Sequence, residues 1–363
     1  MANVGKSTGA FGGPRVTALV GVTFALAALV SSSVARAPPP GAPAGARARA
    51  ACFGSVLGEG VWTQDASACV SSDAPAAGCD DRDTGAFWSF DARAATRCGA
   101  RAHTRKANAF AGERVLVVGD SIARHVYASV LRLAARDPEA HALSSQEKHR
   151  DWTHALVDGG VAAFRWAPFA RNVTATLRAE AFDSTRREPS REACAFDIVI
   201  LGATLWDALH VRSVESYARD LRALAALVAA TRSDADDVKK KEETPFVFWL
   251  AAPRVRDDAL TDPAKRTHMT DEKVHAYGEA ARRVPGFLLR PEDARREDAN
   301  EKGNANRKDA RVAPVDVGAL AAGCAAAAAG AERCSADGVH AARAVYDAAA
   351  QIIANVVARG RAS

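Results

Sequence analysis

Ser121 and the pair Asp337 and His340 are the residues of this chain whose types and spacing suit covalent chemistry. The apolar β-formers Val115-Leu116-Val117-Val118 lead straight into Gly119-Asp120-Ser121, and far downstream Asp337-Gly338-Val339-His340 precedes the last amphipathic segment. A serine hydroxyl attacks a carbonyl only when a neighbouring base takes its proton, and that base must be held in one tautomer by a third group. His340 suits the first task and Asp337 the second. Both motifs fall where a strand or loop feeds a helix, the edge at which open α/β sheets collect their chemistry. The pattern predicts acyl transfer or ester hydrolysis through Ser121, with no metal required.

Each of these residues also has a plainer reading. Ser121 stands where a helix N-cap is favoured, and Asp337 could cap the terminal helix with His340 on its surface. Arg124 reads as a solvated helix residue before it reads as a substrate contact. Trp166 and Trp206 read as core or pocket wall before sugar-stacking platforms. His125 and His210 lie near the motifs but lack a partner at metal-ligand spacing, so no ligand role is assigned to them.

The elements that would position these residues alternate between the two periodicities. Ile122, Val126, Val130 and Leu133 give one apolar helical face beginning beside Ser121. Strands are expected over 161–166, 196–201 and 246–250, with a short one at Phe287-Leu288-Leu289. The strand at 196–201 runs into Gly202-Ala203-Thr204, and Ser213 caps a long helix through Leu221, Leu224 and Leu227. A helix is expected over 271–283, and Val345, Ala349, Ile352 and Val356 mark a terminal one stopped near Gly360. Strands alternating with helices of this length predict a parallel sheet covered on both faces. The charged runs 234–244 and 291–311 read as solvated insertions.

With 363 residues, 48% hydrophobic and 25% charged, the chain can bury a sizeable core. The net charge of +5 is accounted for by Lys6, Arg15, Arg36, Arg47 and Arg49, because residues 1–50 hold no acid. The remainder balances to zero, which argues against nucleic-acid binding. Residues 16–34 form an uncharged, Val-, Leu-, Ala- and Phe-rich segment close to the ~17–25 residues that span a bilayer. A signal-anchor is the favoured reading; Ser33-Val34-Ala35 keeps a cleaved signal peptide open, and the acid-free start keeps a plastid transit peptide open. The Pro/Ala-rich stretch that follows reads as a stem.

Cys52, Cys69, Cys79 and Cys98 lie close together without zinc-ligand spacing, so disulfides are expected there rather than a metal site. Cys324 and Cys334 could close a second small loop, leaving Cys194 as a buried thiol. Asn172-Val173-Thr174 matches a glycosylation acceptor, meaningful only in a lumenal chain.

The segment Gly119-Asp120-Ser121-Ile122-Ala123-Arg124, the turn Gly202-Ala203-Thr204-Leu205-Trp206 and the terminal Asp337-Gly338-Val339-His340 together resemble the SGNH-type lumenal domain of the sialate and fungal capsule O-acetyltransferases. Plant trichome birefringence-like wall acetyltransferases are more distant in this resemblance. It extends to residues 52–62 and to Phe164-Arg165-Trp166-Ala167-Pro168, covering most of residues 52–358. Gly-Asp-Ser alone is weak, whereas four motifs in the family's order are strong. The resemblance implies an α/β fold, a three-layer α/β/α SGNH-hydrolase-like sandwich with a central parallel sheet, preceded by an N-terminal membrane anchor. The expected organisation is a cytosolic tail over 1–15, a signal-anchor or signal peptide over 16–35, a stem over 36–50, a Cys-rich segment over 51–110 and the catalytic domain over 111–360.

The resemblance also implies O-acetylation of glycan hydroxyls through an acetyl-Ser121 intermediate, with Asp337 and His340 completing the triad. Gly119, Asp120, Arg124, Gly202, Thr204 and Trp206 are then oxyanion or substrate contacts. An acetyl donor such as acetyl-CoA is needed, no cofactor is tightly bound, and the partner is a glycan or polysaccharide acceptor. The expected place is a Golgi or ER membrane, single-pass with the body in the lumen; secretion is the alternative. The same triad would serve a carbohydrate acetylesterase, and from another class the chain could be an inactive, anchored glycan-binding or scaffold protein. Two departures stand out. The wider SGNH group has an asparagine in the turn after the middle strand, where this chain has Thr204, whose hydroxyl can donate one hydrogen bond. The sialate and capsule enzymes also continue into a multi-span membrane region that these residues do not contain.

Overall fold

The apolar runs form the inner strands of a six-stranded sheet. A computed structural model describes residues 60–64, 87–90, 100, 110–135, 148–181, 196–210, 213–233, 245–288, 312–328, 333–335 and 337–362. Strands β1 (Gly60–Thr63) and β2 (Phe87–Phe90) pair as a separate antiparallel ribbon. The main sheet holds β3 (Arg114–Gly119), β4 (Trp152–Ala155), β5 (Val161–Trp166), β6 (Ile198–Gly202), β7 (Phe246–Ala251) and β8 (Ala313–Asp316), in the order β4-β5-β3-β6-β7-β8. The helices are α1 (Ser121–Ala134), α2 (Ala170–Ala181), α3 (Leu205–Leu209), α4 (Val214–Ser233), α5 (Pro263–His268), α6 (Asp271–Arg283), α7 (Val317–Ala327) and α8 (Arg343–Ala362).

The expected parallel sheet is a mixed one. β3 pairs in parallel with β5 and β6, and β6, β7 and β8 follow in parallel, but β4 runs antiparallel to β5. The cause is a tight turn over 157–160 that folds β4 back on β5. Asp158 takes a left-handed conformation at φ 56 there and Gly159 follows at φ 80, and the Leu156 N–H donates to the Gly160 carbonyl at 2.8 Å. Without β4, the parallel strands read β5-β3-β6-β7-β8, a doubly wound order that reverses between β3 and β6. Ligands of such sheets bind outside the carboxyl ends of the strands at that reversal.

Val115, Leu116, Val117 and Val118 are fully buried, each contributing about 1.5–3 kcal/mol relative to exposure. α1 and α7 pack with α8, while α2 and α6 each pack with α4, two helical groups consistent with a three-layer sandwich. Arg132 of α1 pairs with Asp347 of α8, and Ser213 Oγ accepts the Ser216 N–H at 3.0 Å at the start of α4, as expected.

Several elements differ from the sequence reading. The strand expected at 287–289 is reduced to a single bridge between Leu288 and Val312, and β8 takes the place beside β7. α2 was not anticipated. β4 was not either. α8 runs through Gly360, where one glycine in a last turn costs about 1 kcal/mol, and the Arg361 pairing with Glu113 holds that end. Cys324 and Cys334 form a disulfide, with Cα atoms 6.0 Å apart. Among the described residues no helix is long and apolar enough to cross a membrane. The expected anchor and stem, the four N-terminal cysteines, Cys194 and the two charged runs lie outside the described residues.

Candidate active site

The Gly119-Asp120-Ser121 turn is built where β3 ends. A Cβ at Gly119 would stand 2.0 Å from the Gly202 carbonyl oxygen and 2.7 Å from Ala123 Cβ, so only glycine lets β3 and β6 close at this level. The Asp120 N–H donates to that same Gly202 carbonyl at 3.0 Å. The Asp120 carboxylate caps α1 by accepting the Ile122 N–H at 2.9 Å, and reaches across to the Thr204 N–H at 3.4 Å. The cap of α1 is therefore Asp120 and not Ser121, which occupies the first helical position with its hydroxyl turned outward. Burial pushes the Asp120 carboxyl up to about 6, against the lowering effect of these amide hydrogen bonds.

Asp337 and His340 arrive on the loop before α8. Asp337 Oδ1 accepts the Val339 N–H at 2.9 Å and the His340 N–H at 2.7 Å. Its Oδ2 lies 2.6 Å from His340 Nδ1, and His340 Nε2 lies 2.7 Å from Ser121 Oγ. Because an ionised carboxylate only accepts, Nδ1 carries the proton and Nε2 presents a lone pair to the serine hydroxyl. Partial burial raises the Asp337 carboxyl, but the His340 side-chain and backbone hydrogen bonds outweigh it and hold the group well below the usual carboxylate range. α8 begins at Arg343, so Asp337 does not cap it.

The loop is fixed at three points. Gly338 sits at φ +76 with Arg256 O only 2.7 Å from where a Cβ would fall, and its carbonyl accepts the Arg256 N–H at 2.8 Å. The Ala341 N–H donates to the Tyr346 hydroxyl at 3.0 Å. The Ala342 N–H donates to the carbonyl of disulfide-bonded Cys334 at 2.8 Å.

His125 has a place here that the sequence reading missed. Its ring stacks on Tyr346 with centroids 4.8 Å apart and meets the His340 ring edge-on at 5.1 Å. Burial, then the His340, Arg124 and Arg132 charges, push the His125 imidazole down to about 3, only partly offset by Asp337. It therefore stays neutral where it packs against the His340 ring. The available signal was its spacing: residues four apart on a helix share a face, and His125 is four beyond Ser121.

The remaining expected contacts divide. Arg124 shares the α1 face, with Nη1 3.5 Å from the Lys148 carbonyl, and burial lowers its guanidinium from the ordinary value. Gly202 supplies the carbonyl that Asp120 uses. Thr204, expected to face an oxyanion, is 3% exposed and its hydroxyl lies 3.0 Å from the buried Tyr217 hydroxyl; it points into the core, and its N–H is turned to Asp120. Trp206 lies beside Trp166, their rings perpendicular at 5.7 Å. Asn172 is exposed in the first turn of α2. No cluster of three His, Cys, Asp or Glu able to hold a metal occurs among the described residues.

Fold and site thus define a doubly wound α/β protein with a Ser-His-Asp hydrogen-bonded row at the strand reversal. No family model matches the chain. It is similar to Protein ALTERED XYLOGLUCAN 9 of Arabidopsis thaliana, with 24% identity over 263 residues, covering 68% of this chain and 61% of that protein. The chain therefore spans about three-fifths of the length of this curated relative.

Proposed function

We propose that this chain is a polysaccharide O-acetyltransferase that works through an acetyl-Ser121 intermediate. The observation that carries it is the row in which Ser121 Oγ is 2.7 Å from His340 Nε2 and His340 Nδ1 is 2.6 Å from Asp337. The name of its plant relative refers to xyloglucan, which favours a wall polysaccharide over sialic acid as acceptor and moves the resemblance toward the plant wall acetyltransferases.

His340 Nε2 takes the Ser121 proton as Oγ bonds to the carbonyl carbon of the acetyl donor. Charge developing on the carbonyl oxygen falls at the N-terminus of α1, where the Ser121 N–H and the helix dipole favour an anion. The tetrahedral species collapses, the donor group leaves with the proton from His340, and the acetyl group stays on Ser121. A sugar hydroxyl then gives its proton to His340 and attacks the acetyl carbon. Ser121 departs with that proton and the O-acetyl sugar is released. Throughout, Asp337 stabilises the imidazolium and holds the tautomer.

The disulfide supports an oxidising, lumenal setting, in which the body after residue 50 resists protease added to intact microsomes; its digestion there would overturn that placement. For the activity, Ser121→Ala and His340→Ala each abolish acetyl transfer from a donor to a wall-glycan panel, followed by mass spectrometry beside free acetate. Near-normal transfer by either folded variant refutes the mechanism, and release of acetate from acetylated glycans with no transfer to any acceptor assigns the site to an esterase.

A further inference from the structure

Two indoles flank the Gly119-Asp120-Ser121 turn, Trp166 at the end of β5 and Trp206 in α3, the short helix after β6. Trp166 is the register partner of Gly119, two residues before Ser121, and the Ala167 N–H donates to the Gly119 carbonyl at 2.9 Å. Trp206 follows Gly202, the partner of Gly119 on the other side. The rings stand at 86° to one another and form a corner. The exposed imidazoles of His149 and His210 each stack on one indole, His149 on Trp166 at 4.3 Å and His210 on Trp206 at 5.1 Å.

These aromatics are only partly buried, whereas the hydrophobic residues around them, such as Ala167, Ala170 and Leu205, are 0–1% exposed. Hydrogen bonds tie the segments that carry these aromatics to one another. Fully buried Asp207 accepts the Ala170 N–H at 2.8 Å, joining the segment after Trp206 to that after Trp166. Asp151 accepts the Trp166 N–H at 2.8 Å, joining the His149 segment. Arg124, one turn from Ser121, reaches the Lys148 carbonyl next to His149. Aromatic surface left partly open, fixed in place and adjoining a reactive hydroxyl is costly unless a ligand covers it.

From this we infer that Trp166 and Trp206, flanked by His149 and His210, form a stacking subsite for a pyranose ring of the acceptor glycan. The axial C–H bonds of a pyranose carry partial positive charge and meet the negative face of an indole, while the equatorial hydroxyls stay at the rim. A ring on this corner brings its hydroxyls toward Ser121 without needing a charged sugar. The assignment rests on the acetyl-transfer reading, but binding can be measured without turnover.

The test is calorimetric titration of the full chain, as Ser121→Ala, with xyloglucan, xylan and cellulose oligosaccharides and a sialoside. At least one neutral oligosaccharide binds. In that background Trp206→Ala and Trp166→Ala each weaken it by about tenfold, the upper end of an aromatic contact, Trp206→Phe recovers part of the loss, and the exposed truncation His149→Ala weakens it by a few fold. Oligosaccharide binding by a folded Trp206→Ala within twofold of its parent overturns the subsite, as does the absence of binding to any neutral probe. Binding that depends on the tryptophans in a chain whose Ser121 form transfers no acetyl group keeps the subsite and refutes the chemistry instead.

Discussion

His125 makes a measurable demand on the fold. Its imidazole, ordinarily near 6.5, is pushed down to about 3 by burial and by the neighbouring His340, Arg124 and Arg132. A depressed folded value means that the unfolded chain takes up the proton first as pH falls. The stability contributed by the neutral ring is therefore intact above about pH 6.5 and is lost progressively on the way down toward about pH 3. At pH 5 the loss depends only on the unfolded value, about 1.5 pH units, which corresponds to about 2 kcal/mol. His125→Phe keeps a ring between Tyr346 and His340 but cannot titrate. Buried Asp120, raised to about 6, and Glu113, raised to about 7 by burial against its Arg361 pair, act in the same window with the opposite sign. They are present in both proteins and cancel in the difference. Urea unfolding of parent and variant at about pH 7.5 and pH 5 should thus show the gap between their unfolding free energies moving by about 2 kcal/mol in favour of the variant. Parallel pH profiles would refute the placement of a neutral His125 against the base.

Gly119→Ala forces a Cβ to within 2.0 Å of the Gly202 carbonyl, so β3 and β6 must part by about 1 Å. A displacement of that size at a reacting group costs about 100-fold in kcat/KM, to be read on an aryl acetate beside a circular dichroism check of folding; full activity would mean that the turn is not what aims Ser121. Reducing Cys324–Cys334, ten residues apart in sequence, should lower the unfolding free energy by about 3 kcal/mol, measured by denaturant titration with and without dithiothreitol. No change would show that the loop before α8 is held by its backbone hydrogen bonds alone.

The inner strands were legible because a strand covered on both faces is a continuous apolar run, as in Val115 to Val118 and Phe246 to Leu250. α1, α4 and α6 were legible from 3.6-residue spacing and, at Ser213, from the cap. The edges were not. β4, Trp152-Thr153-His154-Ala155, only alternates between partly and fully exposed, and β8 contains Pro314, which reads against a strand although an edge tolerates it. α2 offers Ala170, Val173 and Leu177 as buried apolar residues, one of them only an alanine, and the sequence reading did not separate the segment from a loop. At the site, residue types pointed to Ser121, Asp337 and His340. Their approach to one another was expected from the resemblance and not from their spacing, because it depends on the strand order. Nor could sequence show that Tyr217 is the neighbour of the Thr204 hydroxyl, since the two meet only after α4 packs over the turn.

Ser121 and His340 stand 219 residues apart in the chain, and that distance is also a delay. At about 5–20 residues per second of synthesis, the serine emerges from the ribosome roughly 10–45 s before its base. During that interval a strand-and-helix body can assemble around a hydroxyl that has not yet met its imidazole partner. Competence comes with the last helix, when α8 lies down on α1 through Arg132 and Asp347 and brings the preceding loop with it. A chain interrupted between residues 317 and 336 would carry Ser121 and every strand of the sheet, yet lack both hydrogen-bond partners of the row.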